Sequence, residues 1–198
     1  DFPEKLINVV ANNPKACKHI HLPLQAGNSR VLELMNRTYT KEDYLKLAFK
    51  MREVIPNLVL TTDIIVGFPT ETEQEFQDTL DIMKQVEFDA AFMFKYSERK
   101  QTIASRKHPD DVSDEDKTSR ITRLVELQRI HSLKRNKIHV GQVFDVMIEG
   151  IGKKPGQLLG RNDGNKIVVF PGNGQKNREI VKVKIKEATT NTLIGLLT

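Results

Sequence analysis

Cysteine is nearly missing from these 198 residues: Cys17 stands alone, and there is no tryptophan. A single thiol cannot close an internal disulfide, which fits a reducing compartment, and it cannot hold a thiolate metal cluster by itself. Cys17 reads as a small buried hydrophobe. No apolar run approaches the roughly 18 residues that a membrane span needs, and the first residues do not resemble a signal peptide. The sequence therefore predicts a soluble, cytoplasmic protein without a membrane partner. Repeats and low-complexity tracts are also absent, and the length suits two modest domains.

Charge is present and unevenly placed. Residues 1–116 carry 15 basic and 20 acidic side chains, whereas residues 117–198 carry 16 basic and 6 acidic. A positive field confined to the C-terminal part predicts a polyanionic partner there, because neutralised phosphates release counterions.

Through residue 96, strand-like and helix-like runs alternate, the signature of βα units in a parallel sheet. Strands are predicted over 18–24, 58–66 and 88–96. Between them, a short helix over 29–36 takes Ser29 as N-cap, and a longer one opens at Thr40 with Asp43 near the capping-box position and stops at Pro56. Thr72 and Glu75 form a second capping box ahead of Phe76, Leu80 and Met83. A closed βα barrel needs about eight strands, so residues 1–112 read as the later part of an incomplete TIM-type barrel. Ser113 caps a long helix that connects the two parts over 113–140, with Ile121, Leu124, Val125, Leu127 and Ile130 as its apolar face and a basic face opposite. From Gly141 the pattern turns to alternation with glycine punctuation, and five short strands over 141–198 predict a small all-β barrel of oligonucleotide-binding type.

Strand alternation selects the side chains that can share a hollow. Thr61, Asp63, Ile65 and Gly67 share one face of the second strand and Leu58, Leu60, Ile64 and Val66 the other. The second set is apolar and turns to helices, so Asp63 and its companions are placed at the carboxyl end of a strand where βα proteins bind ligands. The same parity groups His19, His21 and Gln25. A His-x-His pair with Asp63 could sketch a metal-dependent hydrolase site, and simple hydrogen bonding within a polar interior is the other reading of His19.

The run from His21 to Arg37, the pattern Asp63-x-Ile65-x-Gly67-x-Pro69-x-Glu71 and the stretch Phe94-Lys95-Tyr96-Ser97-Glu98-Arg99 resemble the methylthiotransferase family of radical S-adenosylmethionine enzymes, and the likeness runs to the C-terminus. The resemblance implies a partial radical S-adenosylmethionine barrel followed by a TRAM domain that binds RNA. It implies that Gln25 and Asp63 hydrogen-bond the ribose region of S-adenosylmethionine, that Arg37 pairs with its carboxylate, and that Ile65 and Gly67 flank the adenine. Ala26, Thr70 and Gln101 depart from the family, which often has serine at the first position and glycine at the other two. The Cys-x-x-x-Cys-x-x-Cys loop of the family would lie before Asp1, and Cys17 does not replace it.

By the same resemblance the intact enzyme carries two [4Fe-4S] clusters and an electron donor, and inserts a methylthio group at C2 of a modified adenosine near the tRNA anticodon. This chain has no catalytic residue or metal ligand of its own and is expected to be inactive alone. Lys153, Lys154, Arg161, Lys166, Lys182, Lys184 and Lys186 are the candidates for RNA phosphate contacts. Phe144 and Phe170 read as core rather than stacking platforms. The alternatives are a relative that modifies an aspartate of a ribosomal protein and a non-catalytic RNA-binding module. Residues 141–198 hold nine basic and five acidic side chains, which favours RNA.

Overall fold

The computed structural model describes residues 2–99, 106–172 and 174–198. The chain divides into two compact units, one of residues up to Ile20 with Arg52–Val59 and Ile130–Thr198, the other of His21–Met51 and Leu60–Arg129.

The second unit contains most of a three-stranded sheet, β1 (His19–His21), β2 (Val59–Val66) and β3 (Ala90–Lys95), in the order β1-β2-β3. β2 and β3 run parallel, with Asp63 opposite Phe92 and Ile65 opposite Phe94. β2 is rich in β-branched residues, and its Leu60, Thr62, Ile64 and Val66 are sealed from solvent while Asp63 and Ile65 are half-exposed. The face division expected from alternation holds for Asp63 and Ile65, whereas Thr61 and Gly67, expected on the same face, are buried. The helices are α2 (Ser29–Leu34), α3 (Lys41–Val54), α4 (Glu73–Val86) and the start of α5 (Asp114–Lys137). Both capping boxes form: the Thr40 hydroxyl accepts from the Asp43 amide while the Asp43 carboxylate accepts from the Thr40 amide, and Thr72 and Glu75 exchange the same pair of bonds.

Three local expectations are corrected. The first strand is shorter than residues 18–24, because Pro23 has no amide to donate and Leu24 donates to the Thr62 hydroxyl instead of a ladder carbonyl. The cap of α2 is Asn28, not Ser29: Asn28 is extended (φ −118°) and its side chain accepts from the Arg30 and Val31 amides, while the Ser29 hydroxyl accepts from the Lys41 amide. Ile130 is 65% exposed, and the stripe of α5 that is buried holds Lys117, Arg120, Leu124, Gln128, His131, Ser132 and Asn136. Three of these polar side chains have identified partners that offset the cost of burial. Lys117 meets Asp110, Arg120 meets Glu71, and Gln128 donates to the Phe88 carbonyl.

In the first unit, α1 (Glu4–Asn12) follows Pro3; the sequence reading does not include it, although Leu6, Ile7, Val9 and Val10 carry helical spacing. The Lys18 ammonium donates to the Val10 and Ala11 carbonyls at its C-terminal end. Cys17 is exposed, contrary to the buried reading, since it sits on the turn between α1 and β1 rather than on an apolar face. The expected five strands close into a barrel in the order β4-β5-β6-β8-β7: β4 (Val143–Ile151), β5 (Gln157–Arg161), β6 (Ile167–Pro171), β7 (Ile180–Ala188) and β8 (Leu193–Leu197). Inward alternation buries Val146, Ile148, Val168, Phe170, Val183, Ile185 and Leu193, with Phe144 packed against them, so both phenylalanines belong to the core.

Candidate functional site

Backbone pairing sets the site. The Gln25 amide donates to the Asp63 carbonyl and the Ile65 amide to the Gln25 carbonyl, both at 2.8 Å, which moors the loop after β1 beside the end of β2. Gln25 takes a left-handed φ of 68° and is nearly buried. The loop then passes so close to α4 that a side-chain carbon at Gly27 would lie 2.3 Å from the Thr79 Cα, and the Gly27 amide donates to the Thr79 hydroxyl. After α2, Asn36 turns left-handed (φ 57°) and sends Arg37 back toward the strand ends.

Together these segments and the end of β3 enclose a cavity of about 640 Å³, the size of a nucleoside-type ligand site. Gln25, Arg37, Asp63 and Ile65 all line it, so four of the five expected cofactor contacts share one hollow. Gly67 does not line it: a Cβ there would lie 2.3 Å from Lys117 Cγ, on the side of the turn away from the hollow. Phe68, Phe94, Tyr96, Ser97 and Arg99 also line it, with Leu34, Met35, Asn36 and Lys95, and are additional to the contacts expected from sequence. Phe68 and Tyr96 meet edge to face at 5.1 Å between ring centres. Their signal in the sequence is their place just beyond the carboxyl ends of β2 and β3.

Electrostatics differ across this hollow. Asp63 keeps about a third of its side chain exposed, with His21 Nε2 3.4 Å from one carboxylate oxygen, while His21 Nδ1 lies 3.1 Å from the Thr61 hydroxyl. Arg37 is exposed at the rim, and no ion pair to it is found among the described residues. Behind the wall, burial pushes the Glu71 carboxyl above its ordinary value, against the opposing pull of the Gly67 amide and Arg120. Burial also raises the Tyr96 phenol, helped by the nearby charge of Asp110. A carboxylate, a primary amide and a guanidinium around an apolar wall can bind a ribose, a purine and a carboxylate together. Among the described residues no three His, Cys, Asp or Glu side chains gather to hold a metal.

On the barrel, the basic residues fall into two groups. Arg161 is engaged by Glu149 at 3.0 Å and by Asn165, Lys182 by Asp145 at 3.0 Å, and half-buried Lys166 by the Asn136 side chain at 2.8 Å. Lys153 and Lys154 lie exposed in the β4–β5 connection, and Lys184 and Lys186 stand exposed at alternate positions of β7.

The architecture defines a class: part of a radical S-adenosylmethionine fold and a five-stranded TRAM barrel in one chain. Residues 1–83 match the Radical SAM superfamily and residues 137–198 the TRAM domain. In fold, the chain resembles the coproporphyrinogen III oxidase HemN of Escherichia coli, described as a radical SAM enzyme, with a TM-score of 0.50 over 58% of this chain and 27% of that one at 24% identity. Among curated proteins, tRNA-2-methylthio-N(6)-dimethylallyladenosine synthases from Desulforamulus reducens and Phocaeicola vulgatus are 47% and 45% identical over 196 residues. Those matches take in 98% of this chain and 42% and 43% of the relatives, so the chain spans less than half their length. Over nearly its whole length the chain is similar to these tRNA-2-methylthio-N(6)-dimethylallyladenosine synthases.

Proposed function

We propose that this chain is the nucleoside-binding and RNA-binding part of a tRNA methylthiotransferase that places a methylthio group at C2 of a modified adenosine near the anticodon, and that it works in the cytoplasm. The observation that carries this reading is the convergence of Gln25, Arg37, Asp63 and Ile65 on one cavity, in a chain that also holds a closed TRAM-type barrel. No helix among the described residues is long and apolar enough to cross a membrane.

The cavity's donor set fits S-adenosylmethionine, which supplies radical chemistry in this family. Asp63 accepts from the ribose hydroxyls, the Gln25 amide adds a second polar contact, and Arg37 pairs with the amino-acid carboxylate through two parallel N–H donors. Ile65 and Phe68 exclude water from the adenine face. Iron-sulfur clusters are different. They are bound through several thiolates, whereas this chain has only the exposed Cys17, so its residues do not fit a cluster. Two [4Fe-4S] clusters and the electron donor that reduces them are assigned to the rest of the enzyme. On the barrel, Lys153, Lys154, Lys184 and Lys186 carry the phosphate contacts, because Arg161, Lys166 and Lys182 already have protein partners.

The test is Asp63→Ala in the intact enzyme. Cleavage of S-adenosylmethionine should fall by at least about 100-fold, in line with the loss of a positioning contact, while tRNA affinity stays at the unmutated value. Unchanged cleavage would remove Asp63 from the site and the cavity from this role.

A further inference from the structure

The turn that closes β2 is gripped from behind. The Gly67 amide donates to Glu71 Oε2 at 2.7 Å, and the same oxygen accepts from Arg120 Nη1 at 2.8 Å. Arg120 Nη1 also donates to the Glu71 carbonyl at 3.0 Å, and both side chains are almost completely buried. One helical turn earlier, the Lys117 stem fills the space left by the missing side chain of Gly67, whose φ of 71° suits glycine. The Lys117 ammonium reaches both oxygens of Asp110 at 2.6 Å and lies 5.6 Å from the centre of the Tyr96 ring. Tyr96 in turn meets Phe68 across the cavity wall.

We propose that Lys117, Arg120 and Glu71 are positioning residues of the nucleoside cavity, holding the Gly67–Phe68 turn and the Tyr96 ring so that the two aromatic rings stand as its wall. None of the three lines the cavity. Their pattern is not what helix packing alone requires: an apolar residue at position 117 or 120 would bury without an acidic partner. Two buried cations on successive turns, each matched to an acid from a different segment, fix direction as well as contact. This makes the first turns of α5 part of the ligand-binding apparatus rather than only a connection.

The inference rests on the proposed S-adenosylmethionine site, and the test separates the two. In the intact enzyme, Lys117→Met keeps the stem on Gly67 and removes the charge, Lys117→Arg keeps the charge, and Glu71→Gln and Arg120→Lys each weaken the buried pair. S-adenosylhomocysteine affinity, the KM for S-adenosylmethionine, kcat, tRNA affinity and Tm are measured for each. Lys117→Met and Glu71→Gln should weaken S-adenosylhomocysteine binding and raise KM about tenfold with kcat within about twofold, as expected for misplacement of a binding wall. Lys117→Arg and Arg120→Lys, which keep a cation beside its acid, should show a much smaller loss than Lys117→Met and Glu71→Gln, and tRNA affinity should not move. A lower Tm with affinity and KM unchanged in every variant that folds would make the network purely structural and overturn the proposal. Should Glu71→Gln fail to fold, the Lys117 pair decides alone. If the unmutated enzyme binds no S-adenosylhomocysteine, the cavity's assigned ligand is wrong and the positioning role falls with it.

Discussion

Arg120 and Glu71 form an ion pair at 2.8 Å in which neither side chain keeps more than 6% of its surface in contact with solvent. Removing one partner strands the other charge, which is far costlier than removing both. Glu71→Gln or Arg120→Met should each lower unfolding stability by about 3 kcal/mol, the range for breaking a buried pair. The double variant should lose less than the two single losses combined, because neither charge is then left alone. Urea unfolding of the four proteins supplies the cycle. Additive losses would show that the two side chains are not coupled.

Thr70 is the family departure with a visible consequence. It takes φ 68°, a conformation that a β-branched residue adopts at a cost and glycine adopts freely. Its local bonds explain its tolerance: its amide donates to Asp111 at 2.6 Å, and its carbonyl and hydroxyl accept from Arg30 at 2.8 and 3.0 Å. Two of these three use the backbone and survive any substitution that keeps an amide. Thr70→Gly should therefore stabilise the protein by about 0.5–1 kcal/mol and raise Tm by about 2–4 °C. A fall in Tm would mean that the exposed hydroxyl bond outweighs the strain.

The parts of the fold legible in sequence are those set by local rules. Thr40–Asp43, Thr72–Glu75 and Ser113–Asp116 are capping pairs recognisable from spacing alone, and all three form their hydrogen bonds. The alternation around Asp63 places that carboxylate on the open face of β2 without knowledge of its neighbours. What sequence does not disclose depends on distant partners. Burial of Arg120 follows from Glu71, forty-nine positions away, and Ile130 is exposed because polar residues with such partners take the buried stripe of α5. Likewise Phe68 and Tyr96 read as ordinary aromatics until β2 and β3 pair and bring the rings together. Gln101 lies outside the described residues.

Glu75 links the start of α4 to α2. The hydrogen bond from Arg30 is the main cause that holds its carboxyl down to about 2 from an ordinary 4.5, with the Thr72 amide and hydroxyl adding to it against the opposing effect of burial. A carboxyl depressed in the folded state contributes stability that is complete above its unfolded value and is lost as pH falls through the folded one. The difference in stability between the parent and Glu75→Gln should thus be about 1–2 kcal/mol at pH 7, the scale of a lost helix cap. It should shrink steadily between pH 4.5 and pH 2. Urea titrations at several pH values check this. A difference independent of pH would assign the loss to packing and not to ionisation.

Of the three exposed lysines at alternate positions of β7, the two without an acidic partner among the described residues, Lys184 and Lys186, give the RNA-binding proposal its sharpest consequence. Lys184 lies opposite Val143 on one neighbouring strand and Leu196 on the other, so its ladder partners bring no acid to it, whereas Lys182 is matched by Asp145. A cation already neutralised by a protein carboxylate releases fewer counterions on meeting a phosphate than one facing solvent. Lys184→Ala and Lys186→Ala should each weaken tRNA binding and flatten the plot of log affinity against log salt by about one unit for each phosphate that the variant leaves without its lysine. Lys182→Ala should change both quantities less. Equal effects at all three positions would mean that the Asp145 pair opens on binding, and no effect at any would move the RNA-binding role to Lys153 and Lys154 in the β4–β5 connection.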